Sequence, residues 1–133
     1  MLSNNGANMS AVISDMIIGA SFRQRYHVNN VVSGQTIAKA WFAVKDNIDD
    51  GDGVARIFKT ITTVSSTDGH IEDDGAGDRV AALRFDLAPG DTDNLSAGKK
   101  YHFGAQILMS GGDIFPLEGG TLIAKANVIQ ATS

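Results

Sequence analysis

The sequence predicts an all-β chain, an antiparallel β-sandwich of about seven strands preceded by an N-terminal arm. Three observations carry that expectation. Apolar and polar residues alternate with period two through most of the chain, the pattern of half-buried strands. Clusters of Gly, Asp, Asn and Ser, the natural turn formers, separate those stretches at near-regular spacing. Beyond residue 18 there is no helical pattern of ordinary length, no alternation of strand with helix and no internal repeat. A chain of 133 residues makes one domain, large enough to bury roughly two-thirds of its unfolded surface. The expected division is an arm over residues 1–18 and a sandwich over residues 19–133.

The elements follow in order. In the arm, Met9, Val12, Ile13 and Met16 recur at i, i+3, i+4 and i+7, and Gly19 stands where a helix would stop. That spacing fits an amphipathic arm, and an extended segment lengthening the first strand fits equally. Ala20–Val28 alternates Phe22, Tyr26 and Val28 with Arg23, Arg25 and His27. Thr36–Lys45 carries apolar bulk on both faces, which marks a central strand. Asp46–Gly53 (DNIDDGDG) is a loop, because Asp, Asn and Gly are poor strand formers. Val54–Val64 is a β-branched strand, Gly69–Glu72 a short edge strand, and Asp73–Asp78 (DDGAGD) a second acidic loop. Arg79–Leu87 alternates cleanly, and Pro89–Ala97 opens with a proline suited to a first helical turn. Tyr101–Met109 alternates inward, Ser110–Asp113 is a hairpin turn, and Gly120–Gln130 is the expected last strand. The predicted core is Phe22, Tyr26, Trp41 or Phe42, Val44, Ile57, Ile61, Leu83, Phe85, Leu87, Tyr101, Phe103 and Ile107.

Composition narrows the function. With no cysteine there is no disulfide scaffold, no thiolate nucleophile and no thiolate-bound zinc. The formal net charge of −4 opposes nucleic-acid binding. No apolar run approaches the ~18 residues of a membrane span, and no basic leader precedes an apolar stretch at the N-terminus.

Each motif that invites chemistry has a plainer reading. A calcium loop needs oxygen ligands at alternating positions and a glutamate at the twelfth. Aligning Gly51 as its glycine places Ile48 and Ile57 where ligands belong, so the segment reads as a solvated turn. His27, His70 and His102 lack metal-ligand spacing and read as surface residues. There is no nucleophile elbow and no phosphate loop. Arg23, Arg25, Lys39 and Lys45 form a possible basic face without the interleaved aromatics that RNA binding uses. No catalytic residue, metal ligand or cofactor site is expected.

Two resemblances add to this. In Leu95–Phe103 (LSAGKKYHF), a leucine, a glycine and then Tyr101 open an alternating strand. That order resembles the tyrosine corner of immunoglobulin-like sandwiches, where the hydroxyl ties the preceding connection to the strand. Over about residues 22–132, Ala40–Asp46 (AWFAVKD), Ile57–Thr63 (IFKTITT), Gly69–Gly75 (GHIEDDG) and Leu83–Thr92 (LRFDLAPGDT) lead into that corner. The layout resembles small β-sandwich structural proteins of tailed bacteriophages, and is similar to the N-terminal domain of phage upper baseplate proteins.

The resemblance implies a non-enzymatic virion protein, assembled in the host cytoplasm and contacting other virion proteins and copies of itself, with neither nucleic acid nor membrane as partner. Head decoration (a cement protein) is the leading expectation, because an arm can cross onto a neighbouring subunit. The arm residues Met9, Val12, Ile13, Met16, Ile17 and Ile18 are the expected interface. A tail, neck or baseplate accessory is the second reading. A carbohydrate-binding module is the third; its candidate aromatics Trp41, Tyr26 and Tyr101 alternate with polar residues and so are expected in the core.

Overall fold

A computed structural model describes residues 8–29 and 32–129. The chain runs through β1 (Asn8–Ile13), β2 (Phe22–Val28), β3 (Ile37–Lys45), β4 (Ile57–Ile61), β5 (Gly69–Asp73) and β6 (Ala81–Leu87). A single helical turn, α1 (Pro89–Thr92), then leads to β7 (Lys100–Met109) and β8 (Ile114–Ile123). Five strands form one sheet in the order β1-β8-β7-β3-β4, and three form the other in the order β2-β6-β5. The all-β sandwich expected from the alternation is what the chain builds. No helix among the described residues is long and apolar enough to cross a membrane.

The core lies between the sheets and is filled mainly by alternate residues of β3, β4, β6 and β7. Phe42 and Val44 from β3, Leu83, Phe85 and Leu87 from β6, and Tyr101, Phe103 and Ile107 from β7 are all buried. Phe42 packs on Phe85 across the sheets, with ring centroids 5.6 Å apart. Two expected core residues, Phe22 and Tyr26, are only partly buried, because β2 is an edge strand. The Tyr101 hydroxyl accepts the backbone N–H of Ser96 at 2.6 Å, so the tie expected from the Leu95–Tyr101 spacing is present.

Three expectations require correction. Residues 8–18 belong to the sandwich and are not a separate arm. β1 pairs with β8 in parallel, while the other strand pairs among the described residues are antiparallel, and these residues form eight strands. Ile18 N–H donates to Lys125 O at 3.0 Å and Lys125 N–H to Met16 O at 2.9 Å, which carries the pairing past β8. Ile13 and Met16 are buried in the core of their own chain, Met16 completely. The β8 edge offers this segment unpaired backbone groups and an apolar cleft on the same molecule. Residues 1–7 of the expected arm lie outside the described residues.

The last strand is Ile114–Ile123 and not Gly120–Gln130. The Ser110–Asp113 turn brings the chain straight back, so β8 pairs along β7 from Leu108↔Ile114 to Lys100↔Ile123. Pro116 is accommodated beside a break in register at Ala105/Gln106, where a missing N–H is tolerated. Gly120 is required here: a Cβ on it would lie 1.8 Å from Ala11 O, so only glycine lets β1 pack this closely.

The third correction concerns Trp41. Of the pair Trp41 and Phe42, Phe42 turns inward and is fully buried. Trp41 faces away from the core and is half-buried.

Candidate functional site

The outer face of the five-stranded sheet is concave, and its shape follows from residue size and register. Ala43 on β3 pairs with Gly104 on β7, which pairs with Gly119 on β8. This row of small residues forms the floor of a trough running across the strands. One wall is the next row, where Trp41 pairs with Gln106 and Gln106 with Pro116. The opposite wall is the row in which Lys45 pairs with His102 and His102 with Thr121. Phe58, opposite Ala43 on β4, closes one end. Ile48 and Asp52 reach the trough from the acidic loop, and Ile114 from the start of β8. The trough holds about 680 Å³, within the ~300–1,000 Å³ of small-molecule sites.

Its lining is mixed. Ile48, Phe58 and Ile114 are exposed apolar residues gathered around one depression. Hydrogen-bonding groups stand among them in Gln106, His102 and Thr121. Lys45 is already engaged: its Nζ donates to Asp52 Oδ1 and to Asp50 O, each at 2.8 Å. The Asp46–Gly53 loop thus brings a neutralised ion pair to the trough.

Gly104 is the informative residue. It sits mid-strand in β7, flanked by β3 and β8. A Cβ there would meet no atom closer than Glu118 O at 3.9 Å. Nothing in the fold calls for glycine, which in a strand interior costs about 0.5–1 kcal/mol relative to alanine. In a strand interior such a glycine accompanies a bulge, a bend or a place where a ligand or another backbone approaches closely.

The other sequence candidates are dispersed. Arg23 and Arg25 lie on the outside of the three-stranded sheet, where Arg23 pairs with Asp86 and Arg25 with Glu72. Lys39 and Lys45 lie on the opposite sheet, so no common basic face forms. In the acidic loops, Asp46 meets Arg56 at 2.9 Å and Lys99 at 2.9 Å, and Asp73 meets Arg79 at 3.1 Å. The Arg56 guanidinium and then the Lys99 ammonium hold Asp46 below the ordinary carboxylate pKa. Arg79, followed by the Gly75 N–H, does the same for Asp73. His70 Nε2 lies 3.1 Å from Thr63 O, and His27 is exposed on β2. Among the described residues no group of three or more His, Asp or Glu is arranged to hold a metal ion.

The expected interface residues separate. Ile13 and Met16 are core, and Ile18 packs against it. Val12 and Ile17 are exposed, and Met9 lies in β1. Sequence reasoning missed the trough because both faces of β3 are apolar, so alternation could not say which way Trp41 points. The glycines at 104 and 119, falling opposite one another in the β7–β8 hairpin, were the signal that could have found it.

No protein-family model matches the sequence, and no curated protein is significantly similar to it. Among solved structures the chain is similar to the sialic acid binding region of an adhesin from Streptococcus sanguinis SK1, bound to 3'sLn, with 16% identity and a TM-score of 0.45. The likeness covers 93% of this chain and 30% of that one.

Proposed function

We propose that the protein is a non-enzymatic binding domain, working as a tail, neck or baseplate accessory of a tailed phage particle, with the trough as its ligand-binding surface. The observation that carries the binding role is Gly104, which keeps the trough floor open although the fold has room for a side chain. The particle context comes from the resemblance in sequence layout. The immunoglobulin-like reading of the sandwich draws support from the Tyr101–Ser96 tie at the start of β7 and from the strand order.

Head decoration drew its strength from an arm free to cross onto a neighbour. Ile13 and Met16 are spent on their own core, which removes that support. One observation still favours decoration as a second reading: Val12 and Ile17 are exposed beside the β1 edge.

The experiment compares particles assembled with wild-type protein and with Gly104→Val. Copy number is read by mass spectrometry against the major capsid protein, and adsorption by depletion of free particles on host cells. Few copies per particle, equal incorporation and weaker adsorption of the variant are expected. Hundreds of copies would favour decoration. Unchanged adsorption would remove the trough from the protein's function.

A further inference from the structure

Resting on the reading of the trough as a ligand surface, we infer that its occupant is an uncharged oligosaccharide, stacked on Trp41 and hydrogen-bonded by Gln106, His102 and Thr121.

The trough's dimensions select against larger occupants. Trp41 and Lys45 stand four residues apart on β3, so the walls are about 13–14 Å apart between Cα atoms. The indole and the lysine chain take up part of that width. An α-helix with its side chains needs about 10–12 Å and does not seat on the floor. An extended peptide meets a different obstacle. The floor is made by β3, β7 and β8, each with a neighbour on both sides, so their backbone groups are committed to the ladder and none is left to pair with a guest strand.

A sugar meets neither obstacle. Its ring offers an apolar C–H face to an aromatic side chain and hydroxyls to polar groups around it. The trough presents the same duality in register: Trp41 lies directly opposite Gln106, while His102 and Thr121 are paired on the other wall. The floor of Ala43, Gly104 and Gly119 spans three adjacent strands, which gives length for more than one ring. Phe58 adds a second apolar surface at the end.

Charge decides the class of sugar. Lys45 is the cation at the trough, and its ammonium is held by the carboxylate of Asp52, itself 66% exposed on its side chain. Among the described residues the lining therefore offers no unpaired lysine or arginine to an acidic sugar, and the chain as a whole is at −4. Sialylated and other anionic glycans are repelled or unrewarded, and neutral ones are not.

The test uses the protein's own reporter, because Trp41 is the single tryptophan in the sequence and lies in the trough. Emission from the full-length chain is titrated with maltotriose, cellotriose, chitotriose and galactotriose, with 3'-sialyllactose as the anionic control. A saturable change with at least one neutral trisaccharide is expected, weakened at least about tenfold in Gly104→Val and in Gln106→Ala. No saturable change with any neutral probe, a response confined to 3'-sialyllactose, or undiminished binding by folded Gly104→Val, followed by calorimetry, overturns the inference. If the sugars fail while Gly104→Val particles still adsorb poorly, the trough remains the binding surface and only the sugar class is wrong. If adsorption is also unchanged, both readings fall.

Discussion

The hydroxyl of Tyr26 donates to Glu118 Oε1 at 2.8 Å, joining an edge strand of the three-stranded sheet to β8 of the other. Gln24, two residues along the same face, donates to the same oxygen at 3.3 Å. The Tyr26 ring meets Phe85 edge-on at 6.1 Å. Burial first, and then the adjacent Glu118 carboxylate, push the phenol's pKa upward, so the hydroxyl keeps its proton and stays a donor. A polar clasp thus closes a sandwich edge that β2 fills only partly with apolar bulk.

Tyr26→Phe keeps the ring contact and removes the clasp. A hydrogen bond to a charged group contributes about 1.5–3 kcal/mol, and Gln24 retains part of Glu118's satisfaction, so a loss near the lower end is expected in denaturant melts. A double-mutant cycle with Glu118→Gln checks it. Additive single-mutant effects would mean the two groups are not coupled.

Met16 predicts that the N-terminal segment is structural. Met16→Ala should cost about 2–5 kcal/mol, the range for truncating a fully buried large side chain. Deleting residues 1–17 should destabilise the domain further, since the β1 pairing and the cover from Ile13 and Met16 go together. Chemical denaturation of the truncated chain reads this directly. A truncation as stable as the whole chain would return the segment to the role of a free arm.

Lys59 predicts a change in association. It points inward from the edge strand β4, is 8% exposed, and meets Asp91 at 2.8 Å and Asp68 at 3.5 Å. An inward charge on an edge strand discourages pairing with another chain. Lys59→Met fills similar volume and removes that charge. Sedimentation velocity should show concentration-dependent self-association of this variant and a monomeric wild type; a variant as monomeric as wild type would deny Lys59 this guarding role.

Asp46 predicts a signed pH effect. Its pKa is lowered from 3.8 in the folded chain, by Arg56 first and Lys99 second. A depressed carboxylate contributes stability that is complete above its unfolded pKa and is lost as pH falls through the folded value. Asp46→Asn should therefore melt lower than wild type near neutrality, by a small margin because the pairs face solvent. The two melting curves should converge in acid below the ordinary carboxylate range. A gap that persists there would assign the effect to geometry and not to charge.

Much of this molecule was determined by its sequence alone. Period-two alternation placed β2, β3, β6 and β7 and chose the inward residues of β6 and β7, because burial on one face of a pleated strand acts on every second side chain. Turn chemistry located the acidic loops and the 110–113 hairpin, and local spacing announced the Tyr101 tie. Tertiary structure decided the rest. Met9, Val12, Ile13 and Met16 have helical spacing, yet the open edge of β8 draws the segment into a parallel strand. Alternation fails in β8, where Pro116, two glycines and an inward Glu118 break the pattern, and pairing with β7 sets its limits instead. Trp41 faces outward because Phe42 takes the inward place opposite Phe85, a choice that two apolar faces leave undetermined until the second sheet is packed against them. The trough exists only once Ala43, Gly104 and Gly119 stand side by side. Residues that far apart in the chain become neighbours through strand register, which short-range spacing does not encode.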